Sequence, residues 1–310
     1  MDGFLSLHAH GNGRDARRTV RNQRADVFNA NYTVTPENMT MEMHMFGMMY
    51  APSDRWTLAA MISQQSMAMD HRIFPMAAPL LALNNGSDTF TTESSGLADL
   101  KINALHKFYD REGARAHLGL GLSLPTGSIT EEDIVPGPGG RIDRQLPAAM
   151  QLGSGTVDFL PSLTAVKQFT RGSIGAQIRG IVRTHDNDQG YRFGHRFEAD
   201  AWGAINLTKW LGVNAGLGYQ WEGELKGVQD DVSQAPPFAP TRLTVPTAFG
   251  ENYGGRRVDA ILGLNLLGPD HSNLSAHRLA IDARFPIDQD VNGVRLETDW
   301  TMTIGWQWAF

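Results

Sequence analysis

The 310-residue chain has no cysteine, which excludes disulfide scaffolds, thiolate zinc sites and cysteine nucleophiles. Charge is scarce too: Asp, Glu, Lys and Arg make up 19% of the residues, below the roughly 25% of a typical soluble domain. The formal net charge of −6 offers no basic surface, so no nucleic-acid partner is expected. Long apolar runs are missing as well. The longest, Met76–Leu83, has eight residues with a proline among them, far short of the roughly 18 that a transmembrane helix needs. Residues 1–20 carry charges and histidines, so no secretory signal is visible, and the chain reads as one from which such a segment has been removed. None of these absences excludes a membrane barrel, which carries no long apolar run. What the chain has in excess is glycine, 33 residues, against a usual share of about 7%. That leans towards a β protein with tight-turning or crowded backbone.

The period of the chain is two. From Arg295 the even positions read Leu296, Thr298, Trp300, Met302, Ile304, Trp306, Trp308 and Phe310, and the odd ones Arg295, Glu297, Asp299, Thr301, Thr303, Gly305 and Gln307. One face is apolar and the other polar, over about sixteen residues, well beyond the five or six of an ordinary strand. The alternation recurs at Leu118, Leu120, Leu122 and Leu124; at Ile174, Ala176, Ile178, Gly180 and Val182; and at Leu211, Val213, Ala215, Leu217, Tyr219 and Trp221. It recurs again at Ala98–Ala104, Phe197–Ile205, Val258–Leu266 and Leu279–Phe285. With weaker segments near 2–10, 41–51, 55–65 and 156–169, about twelve strands emerge, each able to cross a bilayer as a tilted strand of about 9–11 residues.

Connections alternate between short ones, such as Pro52–Asp54, Asp110–Gly113 and Thr208–Trp210, and long ones at 11–40, 66–92, 125–153, 185–194, 225–252 and 286–293. A closed antiparallel barrel with short periplasmic turns and long extracellular loops produces this sorting, and an even strand number puts both chain ends on the periplasmic side. The expected fold is therefore an all-β transmembrane barrel spanning 1–310 as one domain, in contact with bilayer and lipopolysaccharide. A soluble sandwich or lipocalin-like barrel would point its apolar face inward instead. Against that stands the run of charges on the other face, with Trp306, Trp308 and Phe310 placed like an interfacial aromatic belt. Phe310, last behind alternating aromatics, resembles the C-terminal signature of outer-membrane proteins that the barrel-assembly machinery reads.

Four blocks, MTMEMHMFGMMYAP (39–52), GLADLKINAL (96–105), LGLGLSLPTG (118–127) and QLGSGTVDFLPSL (151–163), carry a family likeness. The chain resembles the MetA-type outer-membrane transporter family of phenol-degradation pathways. The resemblance implies an outer-membrane barrel that passes small, often aromatic, compounds, and it carries over no binding residues. It covers strands two to six.

Candidate functional residues follow from parity. Mid-strand charges expected to line the lumen are Asp99, Lys101, Arg179, Glu198, Asp200, Asp259, Asp282 and Asp299. They would form either an ion-pair network bracing the barrel or rings of charge along a wet path. Phe74, Leu80, Phe238 and Phe249 sit in two apolar, proline-broken loops, 73–83 and 235–250, which would contact a hydrophobic solute or pack on each other over the mouth. Met41, Met43, Met45 and Met49 share one face of the second strand, while Glu42, His44, Phe46, Met48 and Tyr50 share the other. With Glu42 and His44 in the lumen, those four methionines would face lipid. Thioethers there, with Met67, Met69 and His71 nearby, would otherwise suit Cu(I). No catalytic constellation, phosphate loop or cofactor motif is evident. The expected function is passage of a small solute; the alternatives are a plugged barrel that scaffolds a partner, and copper handling.

Overall fold

Alternation with a single apolar face leaves each strand needing hydrogen-bond partners on both edges and lipid on one side, and a closed ladder supplies all of them. The computed structural model describes residues 2–12, 32–74, 77–137, 140–234, 243–269 and 276–309. In chain order the strands are β1 (Asp2–Asn12), β2 (Val34–Ser53), β3 (Trp56–Ile73), β4 (Thr89–Leu97), β5 (Leu100–Arg111), β6 (Ala114–Leu124), β7 (Glu132–Gly137), β8 (Gly140–Gln145) and β9 (Asp158–Phe159). They continue as β10 (Ser162–Phe169), β11 (Gly172–Arg183), β12 (Tyr191–Arg192), β13 (Arg196–Asn206), β14 (Leu211–Glu222), β15 (Lys226–Gly227), β16 (Gly255–Leu267), β17 (His277–Val291) and β18 (Thr301–Ala309).

The ladder returns on itself. β1 pairs with β2 and β18, and β10 closes the ring by pairing with both β6 and β11, every pair antiparallel. β4 and β5 make one stave, interrupted at Ala98–Asp99, and β9 and β10 another, interrupted at Leu160–Pro161. Counted this way the ring has twelve staves, as the periodicity predicts. The hairpin of β7 and β8 and the short pair of β12 and β15 lie outside it. The turn between β5 and β6 is a two-residue one, Glu112–Gly113, with φ of 50° and 74°. Both residues sit in the left-handed region that matches the twist of a tight hairpin.

The outward face is apolar along its middle. Leu120 is 62% exposed, Met48 65%, and Leu217, Leu262 and Ile174 are also well exposed. A water-soluble protein does not present such a band, whereas a barrel wall in lipid requires it. Trp56, Phe108, Phe169, Trp210, Trp306 and Trp308 are exposed at the short-turn end, and Phe159, Phe197, Tyr219 and Trp221 at the other. These are the two aromatic girdles of an outer-membrane barrel.

Three expectations are corrected. On β2 it is Phe46, Met48 and Tyr50 that face outward, so Met41 and Met43 point inward and Glu42 and His44 lie outside, above the lipid band. Both faces of β2 are partly apolar, and the neighbour decides: β3 presents Leu58 outward and buries Ser63 and Gln65 inward. Second, Arg295–Trp300 leave the ladder despite their alternation, because Thr298 is held by the Gln289 side chain through two hydrogen bonds (2.8 and 3.0 Å) and by Arg257 at 2.8 Å. Third, the 73–83 segment is not wholly irregular: Ala78–Leu83 form a helix, α1, with Pro79 in its first turn, where a missing N–H costs nothing.

Candidate functional site

The interior is a cavity of about 550 Å³, enclosed by inward side chains of β2, β3, β5, β6, β11, β13, β14 and β16, by Thr247, Asn252 and Tyr253 near the mouth, and by two segments folded into the barrel. Residues 295–300 are one. The other runs from Leu146 to Asp158, where Leu146, Met150 and Leu152 pack with Met67 and Met69 in a buried cluster that also gathers Met39. Methionine fills such irregular contacts well. Met39, Met41, Met43, Met67 and Met69 thus make one apolar wall of the cavity, with Met41 directly opposite Met67 and Met39 opposite Met69 across the ladder.

Asp99 and Lys101 line the cavity, as does Asp299, but Asp99 has a structural task. Its carboxylate accepts hydrogen bonds from the Gly127 N–H (3.0 Å), the Ser154 N–H (2.9 Å) and the Ser154 hydroxyl (2.8 Å). Gly153 lies in the same knot, where an added Cβ would fall 2.4 Å from the Gly127 carbonyl oxygen and 2.7 Å from Asp99. Asp158 completes it, accepting from the Thr156 hydroxyl at 2.6 Å and from Arg183. The blocks 96–105, 118–127 and 151–163, separate in sequence, therefore meet at one point and hold the inward segment in place.

Along the wall the registers Lys101–Ser123, Ser123–Asp158 and Asp158–Arg183 form a single row that passes through this knot. On the next staves Arg196 donates to Glu222 at 3.0 Å, and Arg295 reaches the same carboxylate at 3.7 Å. Arg257 pairs with Asp259 at 2.9 Å.

Nearer the short turns lies a second layer, outside the cavity. Arg179 contacts Glu198 at 2.7 Å and Asp200 at 3.2 Å. Arg284 grips both oxygens of Asp200, at 2.9 and 3.1 Å. Asp282 accepts from Asn214 at 2.9 Å. The eight parity-predicted charges thus divide into two: Asp99, Lys101 and Asp299 at the cavity, and Arg179, Glu198, Asp200 and Asp282 beneath it, with Asp259 tied to the cavity-lining Arg257.

At the mouth Phe74 is buried with Tyr32, and Leu243, Phe249 and Val294 pack against them; Tyr32 and Phe249 rings lie 5.7 Å apart. Leu80 is buried with Val34, Ile73 and Ala77. The loops pack on each other there. Phe238 and Phe310 lie outside the described residues. Parity missed Met39, Met67, Met69, Ser154 and Tyr253, because no periodic signal marks a residue in a loop or in a strand extension above the lipid band. The glycines of 151–155 were the available hint, since a chain folded against other backbone needs them.

No family model matches the chain, and no curated protein matches it. Among solved structures, an outer membrane channel from Pseudomonas putida F1 is similar over 100% of this chain and 95% of that one, with a TM-score of 0.59 at 13% identity. The transport unit of the autotransporter AIDA-I from Escherichia coli is similar over 100% and 89%, with a TM-score of 0.52 at 7% identity. The likeness is one of fold, and with the exposed apolar band and its aromatic girdles it makes this chain a bacterial outer-membrane β-barrel.

Proposed function

We propose that the barrel is a channel for a small, partly apolar molecule. The observation that carries the reading is the cavity of about 550 Å³ inside the wall, lined on one side by methionines and on the other by charges. Binding sites for small organic molecules have this size and this mixture. The resemblance of four sequence blocks to the MetA-type transporters supports an aromatic or otherwise apolar solute. Lipopolysaccharide around the wall and assembly through Phe310 belong to the same reading.

Conductance of the purified, folded protein in planar bilayers tests it. A finite conductance that scales with salt is expected. Persistent silence from a folded barrel would overturn the reading and favour a plugged scaffold, for which the layer of Arg179, Asp200 and Arg284 beneath the cavity is the specific support.

A further inference from the structure

The charges around the cavity are not equally committed. Asp99 and Asp158 are engaged by the knot that holds the inward segment, and Glu222 by Arg196 and Arg295. The cations keep donors in reserve. Lys101 makes no hydrogen bond or ion pair among the described residues, although it lines the cavity. Arg183 uses one terminal nitrogen on Asp158, and Arg196 one on Glu222. The Nε of each arginine is buried without a hydrogen-bond partner among the described residues. Cationic donors held in a low-dielectric site and left unanswered are costly, and an anion placed among them relieves that cost.

Arg183 and Arg196 stand on the adjoining staves β11 and β13, and Lys101 stands on β5, beyond β6 and the β9–β10 stave, yet close enough that both arginine charges act on it. The methionine wall of β2 and β3 adjoins β5 on the other side. Of the three further acids of the lining, Glu37 on β2 is paired with Arg72 at 2.7 Å, and Glu297 and Asp299 enter from the β18 side of the ring. The cavity is therefore polarised, with spare cationic donors on β5, β11 and β13 and thioethers on β2 and β3 beside β5.

We propose that the cavity binds an amphipathic organic anion, with its oxyanion head among Lys101, Arg183 and Arg196 and its apolar body against the methionines of β2 and β3. In naming the class of solute the proposal rests on the channel reading, while binding is measured separately from passage. Arginine offers an oxyanion a planar pair of donors and lysine a movable point charge, so the trio suits a carboxylate, sulfonate or phosphate monoester. Methionine side chains adapt to an aromatic or aliphatic body alike.

Calorimetric titration of the purified full-length chain in detergent, with 4-phenylbutyrate, its neutral amide and the matching amine, tests the site. The carboxylate is expected to bind about tenfold tighter than the amide, as one charge-assisted hydrogen bond provides. Lys101→Met is expected to remove that advantage while leaving the amide unchanged, and Lys101→Arg to keep it. The comparison of the three ligands on the unaltered protein stands even where a variant folds poorly. Equal binding of carboxylate and amide, preference for the amine, or no binding of the carboxylate overturns the proposal. A conducting barrel without carboxylate preference removes this inference and leaves the channel. A silent barrel that prefers the carboxylate does the reverse.

Discussion

Arg284 on β17 holds Asp200 on β13 in a two-pronged pair, at 2.9 and 3.1 Å, over the two staves between them. Three stave spacings are about 14 Å along the wall, so the side chains reach each other only by crossing the lumen side. Gly218 on β14 makes room: a Cβ there would lie 2.7 Å from Asp200 and 2.9 Å from Arg284. Arg284→Met, which keeps length without charge, is expected to raise single-channel conductance by opening this layer. It should also lower stability by about 2 kcal/mol, discounted for the partial exposure of the pair. An unchanged conductance in planar bilayers would show that the layer does not limit flow.

The Asp99 knot is the other constraint on the lumen. Asp99→Asn keeps the volume but replaces an acceptor oxygen by a donor facing the Ser154 and Gly127 donors. A loss of about 2–3 kcal/mol is expected for charged acceptors of this kind, with Ser154→Ala milder at about 1 kcal/mol. Freed at one end, segment 146–157 should become cleavable by added protease while the barrel resists. Cleavage patterns identical to the unaltered chain would contradict the knot's role.

Much of this architecture is readable from period two alone: the number of staves, the sorting of connections and the outward leucines all follow from it. Two things are not readable locally. Along β2, Met41 and Met43 alternate with Glu42 and His44 as well as Phe46 and Met48, so both faces look half apolar, and only β3's pattern assigns them. Leu296, Thr298 and Trp300 keep strict alternation yet leave the sheet, where Thr298 takes Gln289 and Arg257 as partners, nine and forty-one residues away. The same holds at the site. Asp99 is legible as an inward charge, whereas its partner Ser154 lies 55 residues further on and carries no periodic mark.

Leu120 offers a direct check of which side faces lipid. It stands mid-strand on β6, outward and 62% exposed. On a water-facing surface Leu120→Arg would change stability by no more than about 0.5 kcal/mol. In a bilayer wall the same change costs roughly 2–4 kcal/mol near the midplane. Urea unfolding in phospholipid vesicles is expected to give the larger value. A near-zero change would contradict the membrane-facing assignment of β6.

His71 lies on the extension of β3 above the lipid band, buried and stacked on Phe90 at 4.8 Å with the rings 7° from parallel. Its Nδ1 has no hydrogen-bond partner among the described residues. Burial lowers its pKa to about 4 from an ordinary 6.5, only partly offset by a backbone hydrogen bond to Met69 and by the Asp70 charge. The folded chain thus binds this proton more weakly than the unfolded one. The stabilisation is whole above pH 6.5 and is lost as pH falls through 6.5 towards 4, by on the order of 3 kcal/mol in all. His71→Phe keeps a ring for the stack and removes the titration. The expected outcome is a smaller drop in unfolding temperature between pH 7 and pH 4.5 for the variant than for the unaltered chain. Equal drops would place the acid sensitivity elsewhere, since no other change separates the two proteins.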